Sequence, residues 1–209
     1  MIRLEVELKT LSLFLVGGVA PVFTYSDINF YKTKDPTKGT YKPVIPGSSV
    51  KGALRSSLSR VAYAFQMSIC SDRPSSYDSC DACYLFGAPG TSGHTYVSDF
   101  VGEFQTLLLT HVSLDDNSGT ARRYALYTAE YVHPNTLFKG NIDYDGEVKR
   151  LPPLLIALAV LRTDRIGRKG TVDLRIINVG DLKEKLSAEL GEFSVILDYL
   201  GRWAWDEDV

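Results

Sequence analysis

The chain has 209 residues, 44% of them hydrophobic and 23% charged, which is enough to bury one core and build a single domain with insertions. A formal net charge of −2 excludes a protein that coats nucleic acid by bulk electrostatics, so any RNA contact must use a local basic surface. Residues 1–16 interleave Arg3, Glu5, Glu7 and Lys9 with apolar residues, and no apolar run reaches membrane-spanning length; the expectation is a cytoplasmic protein without a signal peptide.

Leu4, Val6 and Leu8 alternate, and Leu11, Leu13 and Leu15 alternate in the opposite phase, predicting one long strand with a bulge near Thr10 that ends at Gly17 and Gly18. Residues 19–42 read as a long polar loop containing the turn Asp35-Pro-Thr-Lys-Gly39. A helix follows. Ser48 or Ser49 can cap it, Val50, Leu54, Leu58, Val61 and Phe65 form its buried stripe, and Ser48, Lys51 and Arg55 share another face. Residues 70–93 are a Ser/Asp/Cys-rich insertion. Extended segments at 96–99 and 103–112 come next, and the turn Asp115-Asp-Asn-Ser-Gly119 separates the latter from strands at 124–132 and 137–144. Pro152 and Pro153 open an apolar helix through Leu161. Val172, Leu174 and Ile176 predict a final strand, and Asp181 with Glu184 a capping-box-like start to one C-terminal helix carrying Leu182, Leu186, Leu190, Leu197 and Leu200.

Three places carry chemistry. Residues 43–55, PVIPGSSVKGALR, put a proline-glycine turn, two hydroxyls, a lysine and an arginine where a helix begins; Gly47, Ser48, Ser49, Lys51 and Arg55 are there suited to a backbone phosphate, which gains helix N–H groups and two cations together. The spacing is not that of a nucleotide-binding P-loop, and the plain alternative is a capped surface helix with solvated charges. Cys70-x9-Cys80-x2-Cys83 offers three thiolates to a structural zinc, against the alternatives of three ordinary cysteines or a disulfide between two of them. No HExxH helix accompanies them, which argues against a catalytic zinc. Arg122 and Arg123 follow the 115–119 turn, and Arg165, Gly167, Arg168 and Lys169 form a basic loop in which glycine lets backbone approach phosphate; solvated charged turns are the alternative for both. Tyr25, Tyr31 and Tyr124 could stack on bases. His94, His111 and His133 stand singly, so a histidine-based, metal-independent ribonuclease is disfavoured.

The words IPGSSVKGALRS (45–56) and CDACYLFG (80–87) resemble the two signature segments of the RAMP proteins, and most of all the backbone subunits of type III CRISPR effector complexes, the Csm and Cmr assemblies. The resemblance runs from about residue 17 to about residue 170. It implies an α+β chain with a modified ferredoxin-like, RRM-like core, a Cys-containing insertion at about 68–93 and a β-hairpin thumb at about 110–134. It further implies that the chain binds CRISPR guide RNA, stacks head to tail with copies or paralogues of itself and other effector subunits, and cleaves complementary target RNA at regular intervals with magnesium or manganese. On this resemblance Asp27, upstream of the Asp35–Gly39 turn, is the catalytic carboxylate; an Asx turn is its structural alternative. Relatives often complete the zinc site with a histidine upstream of the first cysteine. Residues 65–70 contain none, which leaves His94, Asp72, Asp78 or Asp81 as substitutes. Competing functions are a non-catalytic RNA-binding scaffold, a guide-processing RAMP endonuclease, and a zinc-stabilised protein-interaction module.

Overall fold

The computed structural model describes residues 1–18, 26–34, 39–70, 80–103, 106–167 and 170–205. Its first strand, β1 (Ile2–Thr10), keeps the expected alternation, with Leu4, Val6 and Leu8 buried and Arg3, Glu5 and Lys9 turned the other way. The strand does not continue to Leu15. At Thr10 the hydroxyl donates to the His133 carbonyl at 2.8 Å, and the chain leaves the sheet. It drives Phe14 into a cluster with Phe30 and Phe138, ring centres 6.2–6.3 Å apart. Phe14, Leu15 and Val16 are all buried in succession, so burying that aromatic cluster overrides the period-2 pattern.

The segment read as one long loop contains strands. β2 (Gly17–Gly18) pairs with β3 (Asn29–Phe30), and β4 (Lys32–Lys34) pairs with β5 (Tyr41–Ile45) across residues 35–38, which lie outside the described residues. Helix α1 (Gly47–Val61) buries Val50, Leu54 and Leu58; it stops at Val61, and Phe65 beyond it is half-exposed. After α2 (Asp81–Phe86) come β6 (Thr95–Val97), β7 (Phe100–Gly102), a hairpin of β8 (Thr106–Leu114) and β9 (Ala121–Val132), and β10 (Leu137–Tyr144). Helix α3 (Pro152–Leu161) begins at its prolines as expected. β11 (Arg165–Ile166) and β12 (Gly170–Ile176) follow. The single C-terminal helix expected is two, α4 (Val179–Leu190) and α5 (Ser194–Leu200), broken at Gly191 with φ +55°. Asn178 rather than Asp181 stands at its start, and the Asn178 amide bridges to the backbone of Glu5 and Arg3.

The main sheet runs β11-β12-β1-β10-β7-β5-β4, with β6 also on β10. Without the additions, β1, α1, β6/β7, β10, α3 and β12 form a β-α-β-β-α-β order with strands arranged β12-β1-β10-β6/β7, the ferredoxin-like topology. Helices α1 and α3 pack together over the apolar side chains of β1, β10 and β12, and Leu54, Leu58, Leu154, Leu155 and Leu161 are fully buried. Each is worth roughly 1.5–3 kcal/mol of burial. The β8–β9 hairpin is inserted between β7 and β10 and pairs from Thr106↔Val132 outwards, a base earlier than residue 110. Among the described residues no helix is long and apolar enough to cross a membrane.

The other face of the sheet is charged and largely ion-paired. Glu7, 4% exposed, accepts from Arg175 Nε at 2.9 Å and Nη2 at 2.8 Å and lies 3.0 Å from Lys139 Nζ. Burial opposes its ionisation, yet Lys139 and Arg175 together hold the Glu7 carboxyl below the usual carboxylate range. Arg3 is paired with Asp143 at 2.7 Å. The Trp203 ring lies between Lys9 at 4.8 Å and Arg175 at 4.7 Å. The backbone of Ala204 and Trp205 donates to Asp173 at 2.8 and 3.0 Å, and Asp173 also accepts from Arg162 Nε at 2.7 Å. In RRM domains aromatic residues of the central strands stack on bases. Here β1, β10 and β12 supply no aromatic side chain to that face, and the segment around Trp203 lies on it.

Candidate RNA-binding cleft

Helix α1 starts where it does because of a close backbone contact. A Cβ at Gly47 would lie 2.2 Å from the Val97 carbonyl oxygen, so only glycine lets the helix seat on the β6–β7 connection. Its N–H donates to the Asp99 carboxylate at 2.8 Å, and Pro46 occupies the cap position with no side-chain capping bond. Neither Ser48 nor Ser49 caps the helix, because both already lie inside its first turn and a carboxylate from elsewhere in the chain answers the first N–H. Ser48 is exposed one turn before Lys51.

Lys51 and Arg55 line an open cleft of about 490 Å³ together with Gly87, Pro89, Gly93 and Tyr96, and among the described residues no acidic one lines it. The Lys51 amine donates to the Thr95 carbonyl at 2.7 Å, and Arg55 Nη1 donates to the Gly87 carbonyl at 2.5 Å. Both cations are thus oriented in part by neutral main-chain oxygens, which do not cancel their charge. Burial, then the neighbouring Arg55, lowers the Lys51 pKa from the ordinary lysine value. An anion placed there would relieve that repulsion.

The second signature segment folds as α2, with Ala82, Cys83, Tyr84, Leu85 and Phe86 all buried, so this end of the insertion belongs to the core. The Tyr84 ring is held between His94 at 4.2 Å and Arg150 at 3.4 Å. Cys80 caps α2, its sulfur accepting from the Cys83 N–H at 3.3 Å. The sulfurs of Cys70, Cys80 and Cys83 lie within 4.8 Å of one another, Cys70 being 3.2 Å from Cys80 and 3.9 Å from Cys83. That is too long for a disulfide of about 2.05 Å, and close to the roughly 3.8 Å edge of a tetrahedron with metal–sulfur bonds of about 2.3 Å. Three vertices of a zinc site fit. Burial, with the neighbouring sulfurs, pushes the Cys83 thiol up to about 11; a bound divalent cation would reverse that preference. His94 does not join the three cysteines: its Nδ1 is 2.7 Å from Asp145. Asp81 does not either, its carboxylate accepting from the Ser68 N–H at 2.9 Å and hydroxyl at 3.0 Å. Asp72 and Asp78 lie outside the described residues.

Asp27 sits at the base of the hairpin, exposed, with one carboxylate oxygen accepting from the Thr128 N–H at 2.7 Å. Its own N–H donates to the Thr128 carbonyl at 2.8 Å. The other carboxylate oxygen has no partner among the described residues, and no cluster of carboxylates or histidines gathers round it there. Arg122 and Arg123 are exposed at the start of β9, Arg122 lying 3.8 Å from Asp115 beside the turn. Arg165 is exposed and Gly167 packs on the Leu15 carbonyl; Arg168, Lys169 and Tyr25 lie outside the described residues. Tyr124 is fully exposed with φ +59°, and Tyr31 is half-buried. His111 is in the middle of the hairpin, stacked on Tyr127 at 5.2 Å.

Sequence reading missed two polar anchors. Asp99 reaches the start of α1 from 52 residues away, and no local spacing announces it. Glu130, 5% exposed, accepts from the Phe30 N–H at 3.1 Å, from Lys32 at 2.5 Å and from the Thr106 hydroxyl. It ties β3, β4 and both hairpin strands together. Its only signal is a carboxylate inside the apolar run Ala129-Glu-Tyr-Val132.

No curated protein matches the chain. A family model described as the RAMP superfamily matches residues 7–172, a span that includes the cleft, the cysteines, the hairpin and both core helices. Proteins of that superfamily are CRISPR-associated and RNA-binding, and work in RNA–protein complexes. With most of its length inside the match and its strands in ferredoxin-like order, this chain belongs to the RAMP superfamily.

Proposed function

We propose that the chain is a cytoplasmic backbone subunit of a type III CRISPR effector complex, which grips guide RNA by its phosphates and cuts complementary target RNA. The observation that carries the reading is the Lys51–Arg55 pair: two cations held on carbonyl oxygens in a cleft with no carboxylate among its described lining residues. Such a site holds a sugar–phosphate backbone and leaves the bases to be read by pairing, so sequence specificity belongs to the guide. Ser48 and the basic segment at Arg165 extend the same function along the strand. Copies stacked head to tail form an interface that does not close, and hence a helical filament. The β8–β9 hairpin, with Arg122 and Arg123 near its tip, projects to interrupt the guide–target duplex. The three cysteines hold a structural zinc.

Cleavage is assigned to Asp27. A single carboxylate offers a magnesium or manganese ion too few oxygens by itself, so the ion is held jointly with RNA phosphate oxygens and supplies charge stabilisation at phosphorus. One observation favours a second reading, the non-catalytic scaffold: Asp27 already anchors the hairpin through Thr128. The two are separated by assembling the complex on a defined guide, adding complementary RNA with magnesium or manganese, and mapping the cuts. Asp27→Asn keeps an oxygen for the Thr128 N–H and removes the charge, whereas Asp27→Ala removes both. Loss of a regular ladder in both variants, with guide retained, supports cleavage by Asp27. An intact ladder in Asp27→Asn makes the residue a hairpin anchor and the chain a scaffold.

A further inference from the structure

Arg55 faces two ways. While Nη1 donates to the Gly87 carbonyl, Nη2 lies 3.5 Å from the Cys83 sulfur. Gly87 is the residue that ends α2, with φ +85° and its N–H donating to the Cys83 carbonyl at 2.9 Å. The carbonyl and the sulfur that hold Arg55 are therefore two points on one short, buried piece of chain. The position of that piece is governed by Cys80 at the start of α2, Cys83 within it, and Cys70 packed against both.

We infer that the three-cysteine cluster is a positioning device for Arg55, so that filling it with zinc and binding RNA phosphate in the cleft are thermodynamically coupled. This rests on the RNA reading of the cleft. Zinc converts the three thiols to thiolates, and a thiolate accepts a guanidinium N–H far more strongly than a neutral thiol does. Three thiolates on zinc carry one net negative charge, which opposes a phosphate. That repulsion acts across the guanidinium and into an open, solvated cleft, where it is screened. Loosening the cysteine end of α2, by contrast, withdraws both anchors of Arg55 and the cleft wall together. Orientation of the planar fork is what phosphate recognition by arginine requires, so the positioning effect dominates, and zinc tightens RNA binding. Linkage makes the effect reciprocal: RNA must tighten zinc by the same factor.

The test is a cycle on the full chain, measuring fluorescence polarisation of a labelled single-stranded RNA with native protein and Arg55→Lys, each zinc-loaded and zinc-stripped. Native protein is expected to lose about tenfold in affinity on stripping, the scale of one charge-assisted hydrogen bond. Arg55→Lys keeps the charge but cannot span Gly87 and Cys83 with one fork; it starts weaker and loses less than about twofold. In the reverse direction, saturating RNA slows zinc removal by a chelator in native protein and not in the variant. Cobalt substitution, read by its sulfur charge-transfer absorbance, reports site occupancy independently of RNA. Unchanged native affinity on stripping overturns the coupling, and so do equal losses in both proteins, the result that general unfolding of the insertion would give. If Lys51→Ala and Arg55→Ala both leave the affinity of zinc-loaded protein unaltered, it is the cleft reading that fails.

Discussion

The cleft on α1 and the charged face of the sheet both carry lysine and arginine, yet they are electrostatically opposite. On the sheet, Lys139 and Arg175 converge on the buried Glu7, Arg3 on Asp143, and Arg162 on Asp173. In the cleft, Lys51 and Arg55 meet carbonyl oxygens and a sulfur. Carbonyl dipoles orient a cation without neutralising it, so the cleft keeps charge for a phosphate, whereas most cations of the sheet face are spent on carboxylates; Lys9, on the Trp205 carbonyl and the Trp203 ring, is an exception. The partner of a basic residue, more than the number of basic residues, decides whether a surface binds RNA. This also explains how a chain of net charge −2 accommodates an anionic ligand.

The contrast is most directly broken by removing the cleft cations together. Lys51→Ala with Arg55→Ala is expected to weaken binding of single-stranded RNA by about 100-fold or more at moderate salt and to flatten the salt dependence by about two phosphate contacts; a loss below about threefold would end the assignment. On the sheet the expected effect is on stability instead. Glu7→Gln should lower unfolding free energy by about 1–2 kcal/mol, less than a fully buried pair because Lys139 and Arg175 can regain solvent, with RNA affinity within about twofold of native. The folded-state pKa of Glu7 is depressed. Its contribution is therefore complete above the ordinary glutamate value and is lost as pH falls through the lower folded value. Acid melts of Glu7→Gln should lack that branch.

A third experiment sharpens the cleft side. Because burial and Arg55 lower the Lys51 pKa, RNA affinity should fall as pH rises through a value below the ordinary lysine 10.5. Lys51→Arg, whose guanidinium stays charged, should resist that fall, by up to about tenfold at the alkaline end; identical profiles for the two proteins would show that Lys51 does not meet the phosphate. Smallest of all, Lys139→Ala should change RNA affinity by less than about twofold, and a large loss would mean that the sheet face also binds.

Much of the fold was legible in order and type. Alternation in β1 and β12, the proline start of α3 and the turn at 115–119 each rest on short-range chemistry, and each stands in the structure. Boundaries failed where a distant group intervened. The Phe14–Phe30–Phe138 cluster ended β1 early, and Asp99 took the capping role that Ser48 or Ser49 should have had. Residues 19–42 read as a loop because β3, β4 and β5 are short and gain stability only by pairing, β3 with β2, β4 with β5, and β5 with β7 of the main sheet.

For the site, spacing along one helix was sufficient to put Ser48, Lys51 and Arg55 on a common stripe, since three and four residues make about one turn. Cys-x-x-Cys likewise brings two sulfurs together within a single turn. What the tertiary structure alone decided is which atoms those groups meet: Thr95 and Gly87 carbonyls opposite the cations, Cys70 beside Cys80, Arg55 against Cys83, and Glu7 beneath Lys139 and Arg175. Those contacts join segments far apart in the chain. They depend on the packing of α1 and α2 against each other and on the register of β1 with β10 and β12, which local propensity does not encode.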